Sequence, residues 1–494
     1  MKQLKMLIAA ATLACGALSC QKSGFTDQKP ATIAASKTNT ALALSAAGST
    51  SYVILCKNTS VSQDLLTQIA NTGAVTASMP ELGVVLANSA NPDFATALGN
   101  RQDILSVTPD ITLNWLDPAQ PKAADDLLTA PPSQNAPAVT SAQIGLQGTN
   151  PFVPLQWSLQ AVNAPAAFHA GYEGKGSVVA VLDGGFQLNN PDIAPNIISA
   201  VSFVPGEPAQ FAGDPIAFSH ATHVAGIIAA ADNNVGTVGI APQAKLMAVK
   251  VLNDEGHGAF GWMIQGVYYA ASHGANIINM SLGGLIPRNG KFTDANGTTH
   301  DAAAAQALII AMNRAFQFAS KHDVLCIAAA GNDALNLVGQ GQGTFYPASC
   351  TDVVSVSSTG PLGWGTDQTT SLYPFSFFSN YGNGFIDYTG PGGNLKYPLN
   401  TTSVIIGPLQ MPAYVFDMVI SPGSANGYYF AIGTSMASPA VSAVAALIAG
   451  KYQGNISRAQ LQSKLKNSVV DLGAPGKDAY FGFGEVNAGL AIQQ

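Results

Sequence analysis

Residues 433–439 read Gly-Thr-Ser-Met-Ala-Ser-Pro and lead into an apolar segment, residues 440–449, made of Ala, Val, Ser, Leu and Ile. This composition predicts a buried helix over residues 436–449, with Gly450 as its stop signal. The glycine and threonine predict a tight turn that puts Ser435 at the helix start. Unpaired amides and the positive end of the helix dipole can stabilise an anion there. Because a serine at a helix start is usually only an N-cap, this stretch alone does not establish a nucleophile.

Two further stretches supply the other parts of an activated serine. Residues 178–182 form a short apolar run that ends in Asp183-Gly-Gly, the pattern of a buried parallel strand with an acid at its carboxyl end. His220 opens another small-residue helix, in the sequence His-Ala-Thr-His-Val-Ala-Gly. An acid, a histidine and a serine at the edges of strands and helices are the parts of a serine nucleophile with an oriented base.

Together the three motifs resemble those of the subtilisin-like serine peptidases, in which the triad has this chain order. The resemblance implies a serine endopeptidase in which Ser435 attacks the scissile carbonyl and His220 carries the proton. Asp183 then fixes the imidazole tautomer. His223 competes with His220 for the role of base, but the family pattern assigns the base to the first histidine and leaves His223 as structural. Ala221 departs from the glycine that is usual in the family, and its methyl group bears on where the helix starts.

The sequence Ala-Ala-Gly-Asn-Asp carries Asn332 after an apolar run, a pattern that by itself indicates only a turn. The resemblance makes Asn332 the oxyanion-hole residue, acting together with the backbone amide of Ser435. Asp333 is expected to point outwards, so the S1 pocket is expected to take neutral, apolar or aromatic side chains. The resemblance also implies two substrate-binding rims, one with Ser281, Leu282, Gly283, Ala329 and Gly331, the other with Gly256, Gly258 and Phe260, and an S4 hollow at Phe260 and Leu282.

Strand-like apolar runs alternate with helical stretches throughout the C-terminal part of the chain. This alternation predicts an α/β fold, a parallel sheet flanked by helices on both faces, which the resemblance makes subtilisin-like. Residues 285–300 and 394–429 have no counterpart in the minimal family pattern and could form a lid or narrow the cleft. The predicted strands cover residues 178–182, 246–252, 277–280, 324–329 and 353–356, and the predicted helices cover residues 262–273, 302–321 and 436–449.

The start of the chain is typical of an exported bacterial protein. Residues 1–20 combine a positive start, an apolar stretch and small residues, as in a signal peptide. Their end resembles a lipoprotein processing site at which Cys20 is acylated, with plain secretion as the alternative. Residues 21–50 are a polar, disordered tether. We therefore expect an extracytoplasmic protein that is secreted or held transiently at a membrane by a lipid on Cys20.

Two pieces follow before the catalytic domain, which is predicted to span residues 151–494. Residues 51–116 show a compact α+β pattern that is similar to the ferredoxin-like inhibitory propeptides of this family; the alternative is an unrelated small domain. Residues 117–150, rich in Pro, Ala and Gln, are predicted to be a linker with the processing site. The expected partners are protein or peptide substrates and the chain's own propeptide.

Composition excludes some classes of function. Only 10% of the 494 residues are charged, the net charge is −7, and no run of Lys or Arg occurs, so nucleic acid is not an expected partner. Two other classes of function fit the sequence less well. A peptidase-like binding protein without activity is disfavoured because all four residues with expected catalytic roles are present, namely Asp183, His220, Asn332 and Ser435. An esterase or lipase is expected to carry its nucleophilic serine in the motif Gly-x-Ser-x-Gly, and the sequence around Ser435 lacks this motif.

No cofactor is expected for catalysis, but relatives often bind structural calcium. Asp192 and Asn234 match two ligand positions, whereas the loop of residues 232–237 looks one residue short. Val153 stands where the family usually has Gln. The loss of oxygen ligands predicts a weak calcium site or none, and no metal ligand is assigned.

Cys326 and Cys350 are the two cysteines of the predicted mature enzyme. An exported pair could form a disulfide. Because Cys326 lies in a predicted buried strand, the alternative is a free thiol that behaves as a small apolar side chain.

Overall fold

The computed structural model describes residues 48–116, 140–338 and 343–494. All of these residues belong to one compact unit, Leu44–Gln494. The predicted signal peptide with Cys20, most of the tether and residues 117–139 of the linker lie outside the described residues. Within the described ranges, every helix is too short or too polar to cross a membrane.

Ten α-helices lie in the described ranges, and the two longest, of 20 and 18 residues, pack on opposite faces of the central sheet. The predicted helix over residues 302–321 is confirmed at both ends, and the others are confirmed to within two residues. In chain order the helices are α1 (Gln63–Thr72), α2 (Phe94–Gly99), α3 (Trp157–Ala161), α4 (Ala164–His169), α5 (His220–Ala229), α6 (Phe260–Ser272), α7 (Ala302–Lys321), α8 (Thr434–Lys451), α9 (Arg458–Lys466) and α10 (Ala488–Ala491).

The strands form one large sheet, one small sheet and several two-stranded ribbons. They are β1 (Thr50–Cys56), β2 (Ala74–Met79), β3 (Val84–Ser89), β4 (Ile104–Pro109), β5 (Thr112–Asn114), β6 (Val178–Asp183), β7 (Ile197–Ser202), β8 (Lys245–Lys250), β9 (His257–Ala259), β10 (Ile277–Met280), β11 (Gly284–Pro287), β12 (Phe292–Thr293), β13 (Thr299–His300), β14 (Leu325–Ala329), β15 (Gly343–Tyr346), β16 (Val353–Thr359), β17 (Tyr388–Pro391), β18 (Ser403–Ile406), β19 (Leu409–Pro412), β20 (Val419–Pro422), β21 (Tyr428–Ala431), β22 (Val469–Val470) and β23 (Glu485–Val486).

The central sheet has the strand order β22–β23–β17–β16–β14–β10–β6–β8–β7. Every pairing in it is parallel except that of β22 with β23. In β6, Val179 and Val181 pack on the face that carries α8, whereas Ala180 and Leu182 pack on the face that carries α6 and α7. Both faces are buried, which explains why residues 178–182 of β6 are apolar throughout rather than alternating. The predicted α/β fold with a parallel sheet flanked by helices is confirmed.

The small sheet is antiparallel, with the order β2–β3–β1–β4, and the chain order βαββαβ is that of a ferredoxin-like unit. Both of its faces are covered. In β1, Tyr52 and Ile54 pack against α1 and α2. Val53 and Leu55 pack in the apolar cluster that includes α6 and α7 of the large domain, residues 151–494. Strand β2 had no prediction from the sequence because most of its residues are exposed or half-buried, which leaves no apolar pattern.

Both segments that lack a family counterpart are folded. Residues 285–300 contain most of β11 and the short hairpin β12–β13, and residues 394–429 contain β18–β20 and the start of β21. The β20–β21 hairpin packs against α5, and Ser421 Oγ donates a hydrogen bond to the carbonyl of His223. The second segment therefore supports the helix that begins with His220.

Cys326 and Cys350 are buried and carry free thiols, so the disulfide alternative does not hold in this structure. Burial raises the pKa of the Cys326 thiol to about 12. Both side chains belong to the apolar cluster on the α6 and α7 side of the sheet.

Helix α8 does not stop at Gly450, as the sequence predicted, but continues to Lys451. The reason for the glycine is packing: a Cβ at residue 450 would lie 2.8–3.0 Å from backbone atoms of Gly174. Gly450 therefore allows α8 to approach the turn that precedes β6.

We expect Gly450→Ala to lower the melting temperature, although alanine favours helices by about 1 kcal/mol over glycine. Overpacking against a rigid backbone typically costs about 1–3 kcal/mol. The matched control is Gly99→Ala in α2, where an added Cβ has nothing within 4 Å. Both are to be measured by thermal unfolding in a Ser435→Ala background, which avoids autolysis. Equal or higher stability of Gly450→Ala would contradict this packing argument.

Candidate active site

The carboxyl edge of the central sheet brings Asp183 and His220 together. Asp183 ends β6 and is fully buried, and His220 is the first residue of α5, whose N-cap is Ser219. His220 Nδ1 lies 3.0 Å from each carboxylate oxygen of Asp183. Nδ1 donates to this acceptor-only group, which fixes the tautomer with Nε2 as the proton acceptor.

Ser435 is the second residue of α8 and opens onto the same cleft. Its Oγ donates a hydrogen bond to the carbonyl of Ser281, at 3.0 Å. His220 Nε2 is buried, and no polar atom of the described residues bonds to it. Ser435 lines one cavity, His220 and Asp183 line a second one, and Leu116 lines both. Catalytic hydrogen bonds are often long or absent until substrate binds.

The start of α8 is held by a buried polar network around Asn279 of β10. Asn279 Oδ1 accepts hydrogen bonds from the hydroxyls of Ser438 and Ser442, at 2.9 and 2.8 Å. Asn279 Nδ2 donates to Ser281 Oγ, which donates in turn to the carbonyl of Ser435. Asn279 was not among the predicted site residues. The serines at 435, 438 and 442 nevertheless lie on one face of a helix, which indicates a polar partner.

Asn332 lies just beyond β14, next to the start of α8. Its Oδ1 accepts hydrogen bonds from the backbone amide and the hydroxyl of Thr434, both at 2.9 Å. With the oxygen so engaged, the amide nitrogen is the end of the side chain that can donate to a ligand. Asn332 lines the cavity next to Ser435. Asp333 is exposed at the edge of this cavity, and its Oδ2 accepts from Asn380.

His223 lies one turn further along α5 and is fully buried. Its Nε2 donates to the carbonyl of Tyr429, and burial lowers the pKa of His223 to about 3. A neutral imidazole bonded into the core fits a structural residue. The methyl group of Ala221 is also buried, and α5 still begins at His220.

The small N-terminal unit, which consists of residues 50–116, ends in an extended segment that occupies the cleft. Strand β5 pairs antiparallel with β9, in the register Thr112 to Ala259 and Asn114 to His257. The amide of Trp115 donates to Gly256 O at 3.0 Å, and Trp115 O accepts from the amide of Gly283 at 2.8 Å. The segment is thus bound by backbone hydrogen bonds to both rims, as an added strand is.

Trp115 is almost fully buried, with 1% of its surface exposed. Its indole Nε1 donates to Gly258 O at 2.7 Å, and its ring meets that of Phe260 edge to face at 5.1 Å. A Cβ on Gly258 would lie 2.5 Å from Leu252, 2.8 Å from the carbonyl of Val251 and 3.2 Å from the indole, so this close packing requires a glycine. Leu282 and Trp115 line the same cavity. Phe260, which was predicted for S4, therefore packs against an aromatic side chain, and Leu282 lies beside the same cavity.

The other residues predicted for the rims lie close by. The cavity beside Ser435 is lined by Leu282, Gly283, Ala329 and Gly331. Ser281 is fully buried, and its carbonyl accepts the hydrogen bond from Ser435 Oγ. Phe345 of β15 also lines the cavity and was missed. Its ring lies where a Cβ on Gly283 or Gly331 would be, so the two glycines admit it.

Comparison with known proteins identifies the family of the chain. The Subtilase family, Peptidase_S8, matches residues 174–484. Subtilisin BL from Lederbergia lenta is 34% identical over 337 residues, which are 68% of this chain and 98% of that protein. An alkaline protease from Alkalihalobacillus alcalophilus is 33% identical over 357 residues, 72% of this chain and 75% of that protein.

A solved structure shows the fold as well. The epidermin leader peptide processing serine protease EpiP from Staphylococcus aureus aligns with a TM-score of 0.63 at 21% identity, covering 90% of this chain and 98% of that one. With the family match, the two subtilisin-type relatives and the described parallel sheet in agreement, the chain belongs to the subtilase family and is a serine endopeptidase.

Proposed function

We propose that the protein is an exported endopeptidase that cleaves peptide bonds through an acyl-enzyme on Ser435, with His220 as base and Asp183 as its orienting acid. The observation that carries the proposal is the bond from His220 Nδ1 to both oxygens of Asp183, at the edge of the sheet where α8 presents Ser435. Catalysis requires no cofactor in this scheme.

The reaction requires Ser435 Oγ to exchange its bond to Ser281 O for one to His220 Nε2. His220 then takes the hydroxyl proton as Oγ attacks the carbonyl, and the buried Asp183 stabilises the imidazolium that forms. The same proton passes to the leaving amine. Water, activated by His220 in the same way, hydrolyses the acyl-enzyme and restores Ser435.

The negative charge that develops on the carbonyl oxygen meets two donors in this proposal. One is the backbone amide of Ser435 at the start of α8, and the other is Nδ2 of Asn332. The hydrogen bonds from Thr434 to Asn332 Oδ1 support this role, because they orient the amide before substrate arrives.

We expect Asn332→Ala to lower kcat by about 100- to 1,000-fold with little change in KM, because one oxyanion donor is lost in the transition state. Hydrolysis of a chromogenic peptide at saturating concentration measures it. Asn467→Ala, at an exposed asparagine that follows α9, is the control for general effects of removing an amide. A kcat within tenfold of wild type for Asn332→Ala would contradict the assignment.

The extended segment in the cleft favours an inhibitory propeptide over an unrelated N-terminal domain. Besides β5 and Trp115, side chains tie the small unit to the large one. Arg314 of α7 donates to the carbonyls of Cys56 and Leu82, and Asp110 accepts from the amide of Gly261 in the first turn of α6. A carboxylate at a helix start is favourably placed against the helix dipole. The propeptide so held blocks access to Ser435.

Maturation would cut the chain between the two units, within residues 117–150. We propose a cut before residue 140, because residues 140–150 are bonded to the large domain: the amides of Gln147 and Gly148 donate to Asp232. Export by the signal peptide, and a lipid on Cys20 that is left behind with the propeptide, complete the proposal.

A neutral, apolar or aromatic P1 residue is proposed from the lining of Leu282, Ala329 and Phe345.

We expect Ser435→Ala to remain uncut and to stay with the membrane fraction, whereas the wild-type catalytic part is soluble and begins after residue 116. Fractionation of expressing cells, followed by N-terminal sequencing, measures both. The control is Ser403→Ala, on an exposed strand of the second insertion. Processing and casein hydrolysis by Ser435→Ala at wild-type rates would contradict the nucleophile. Mature enzyme that keeps an intact lipidated N-terminus would contradict the release.

The two calcium ligands matched from the sequence do not fit a calcium ion. Both oxygens of Asp192 accept protein donors: Oδ2 from the amide and hydroxyl of Thr237, and Oδ1 from the hydroxyl of Tyr428, at 3.0–3.1 Å. Asn234 Oδ1 accepts from the amide and hydroxyl of Thr149. Oxygens that already accept such donors are not arranged around a cation.

The same loop is bonded by the side chain of Asn150. Two oxygens there, Asn150 Oδ1 and Asp232 Oδ1, are buried without a donor from the described residues. A calcium ion, however, needs six to eight oxygens. The carbonyls that could complete such a shell accept from Asn150 Nδ2, at 2.6–3.2 Å; they belong to Ala231, Val235 and Thr237. We propose that these bonds stabilise the loop without a metal.

We expect Tyr428→Phe to destabilise the protein by about 1–3 kcal/mol, because Oδ1 of the buried Asp192 loses its donor. Tyr397→Phe, at a tyrosine that is 65% exposed, is the control. We also expect the melting temperature in a Ser435→Ala background to be the same with EDTA as with calcium. A drop of several degrees on chelation, reversed by calcium, would contradict the proposal.

A further inference from the structure

The stretch of residues 285–301 begins directly at the rim of the cleft. Strand β11 starts at Gly284, next to the rim residue Gly283, and pairs with β15. Strands β12 and β13 then form a hairpin, residues 292–300, which we call the rim hairpin. Asp301 follows the rim hairpin directly, and its side chain caps α7. The rim hairpin is thus anchored at the cleft on one side and at a 20-residue helix on the other.

The turn of the rim hairpin is fixed by its own polar groups. Asp294 Oδ1 accepts from the amides of Asn296 and Thr298, and Asp294 Oδ2 accepts from His300 Nε2, all at 2.8–2.9 Å. The amide of Gly297 donates to Asp294 O at 3.0 Å, which closes a four-residue turn. The amide of Ala295, the second residue of that turn, is not used within the hairpin.

The amide of Ala295 donates instead to the carbonyl of Thr112, at 2.9 Å. Thr112 belongs to the extended segment in the cleft, three residues before Trp115. On the opposite edge of this segment, Ile111 O accepts from the amide of Phe260 at 3.2 Å. Successive carbonyls of an extended chain point to opposite edges. The rim hairpin therefore forms the second edge beside Thr112, as Gly283 does beside Trp115.

We propose that the rim hairpin is a distal substrate subsite, in which the Ala295 amide binds the backbone carbonyl of a peptide substrate three residues before the side chain that replaces Trp115. This inference rests on the proposed function, since it takes residues 111–116 to lie as a substrate would. The contact reads an extended backbone and no particular side chain. It adds affinity for long unfolded peptides and gives none to short ones.

The test uses active protein matured from the full chain and two acetylated fluorogenic peptides. The long peptide begins with Thr-Leu-Asn-Trp-Leu, the sequence of residues 112–116, and the short peptide begins with Asn-Trp-Leu. Both continue with one cleavable segment chosen by library profiling. Ala295→Pro removes the amide hydrogen, and proline is favoured at the second position of such a turn. Ala295→Ser keeps the amide and is the matched control.

We expect wild type and Ala295→Ser to prefer the long peptide, and Ala295→Pro to lose about fivefold of that preference in kcat/KM, as for one backbone hydrogen bond. The rate on the short peptide and the melting temperature should not change. Equal preference in all three proteins would overturn the subsite and leave Ala295 as a contact of the propeptide alone. Failure of wild type to cut any peptide would overturn the proposed function instead.

Discussion

The start of α8 has to be held at the carboxyl edge of the central sheet, and the rest of the site depends on this attachment. The helix is buried along almost its whole length, so its first turn cannot be supported by solvent. Asn279 of β10 bonds Ser438 and Ser442, in the second and third turns, and Asn332, beyond β14, bonds Thr434. These bonds fix the Ser435 amide and the Asn332 side chain relative to the sheet whose strand β6 carries Asp183. Displacement of reacting groups by about 1 Å can cost 100-fold in rate, so such fixing is a requirement of the chemistry.

The sequence was enough to predict most of the central fold and the candidate catalytic residues. The strands at residues 178–182 and 277–280 are short, apolar except for Asn279, and followed by polar residues, and a pattern of this kind is local. Ser435 and His220 could be predicted because each opens a helix whose composition is unusual. Their nearness in space followed from the rule that the carboxyl ends of parallel strands share an edge.

What could not be predicted depends on contacts between residues far apart in the chain. Gly450 looked like a helix end because the backbone of Gly174, which excludes a Cβ there, is more than 270 positions earlier. Asn150 bonds a loop 81 positions away, and Tyr428 reaches Asp192 across 236 positions. The sequence also does not indicate the donors that bond the oxygens of Asp192 and Asn234, because these donors lie elsewhere in the chain. Residues 285–300 and 394–429 have no counterpart in the minimal family pattern, so the sequence did not predict their hairpins.

Under the proposed function, one set of backbone groups serves both propeptide binding and substrate binding. Gly256 and Gly258 on one rim, and Gly283 on the other, bond the segment before Leu116 without a contribution from most of its side chains. Backbone hydrogen bonds of this type hold any extended chain, and pockets for alternate side chains then set the preference. Ile111 and Trp115 are the most buried side chains of this segment, each 1% exposed; under the proposed function, an aromatic or large apolar side chain at the position of Trp115 adds to binding.

The central claim is that His220 and Asp183 make Ser435 a nucleophile. Labelling of the matured protein with a fluorophosphonate, followed by mass spectrometry of its peptides, tests this most directly. The account predicts one adduct per molecule, on the peptide that contains Ser435, and its loss after heat denaturation or in His220→Ala. An adduct on another serine, or labelling of Ser435 that is unaffected by His220→Ala, would contradict it.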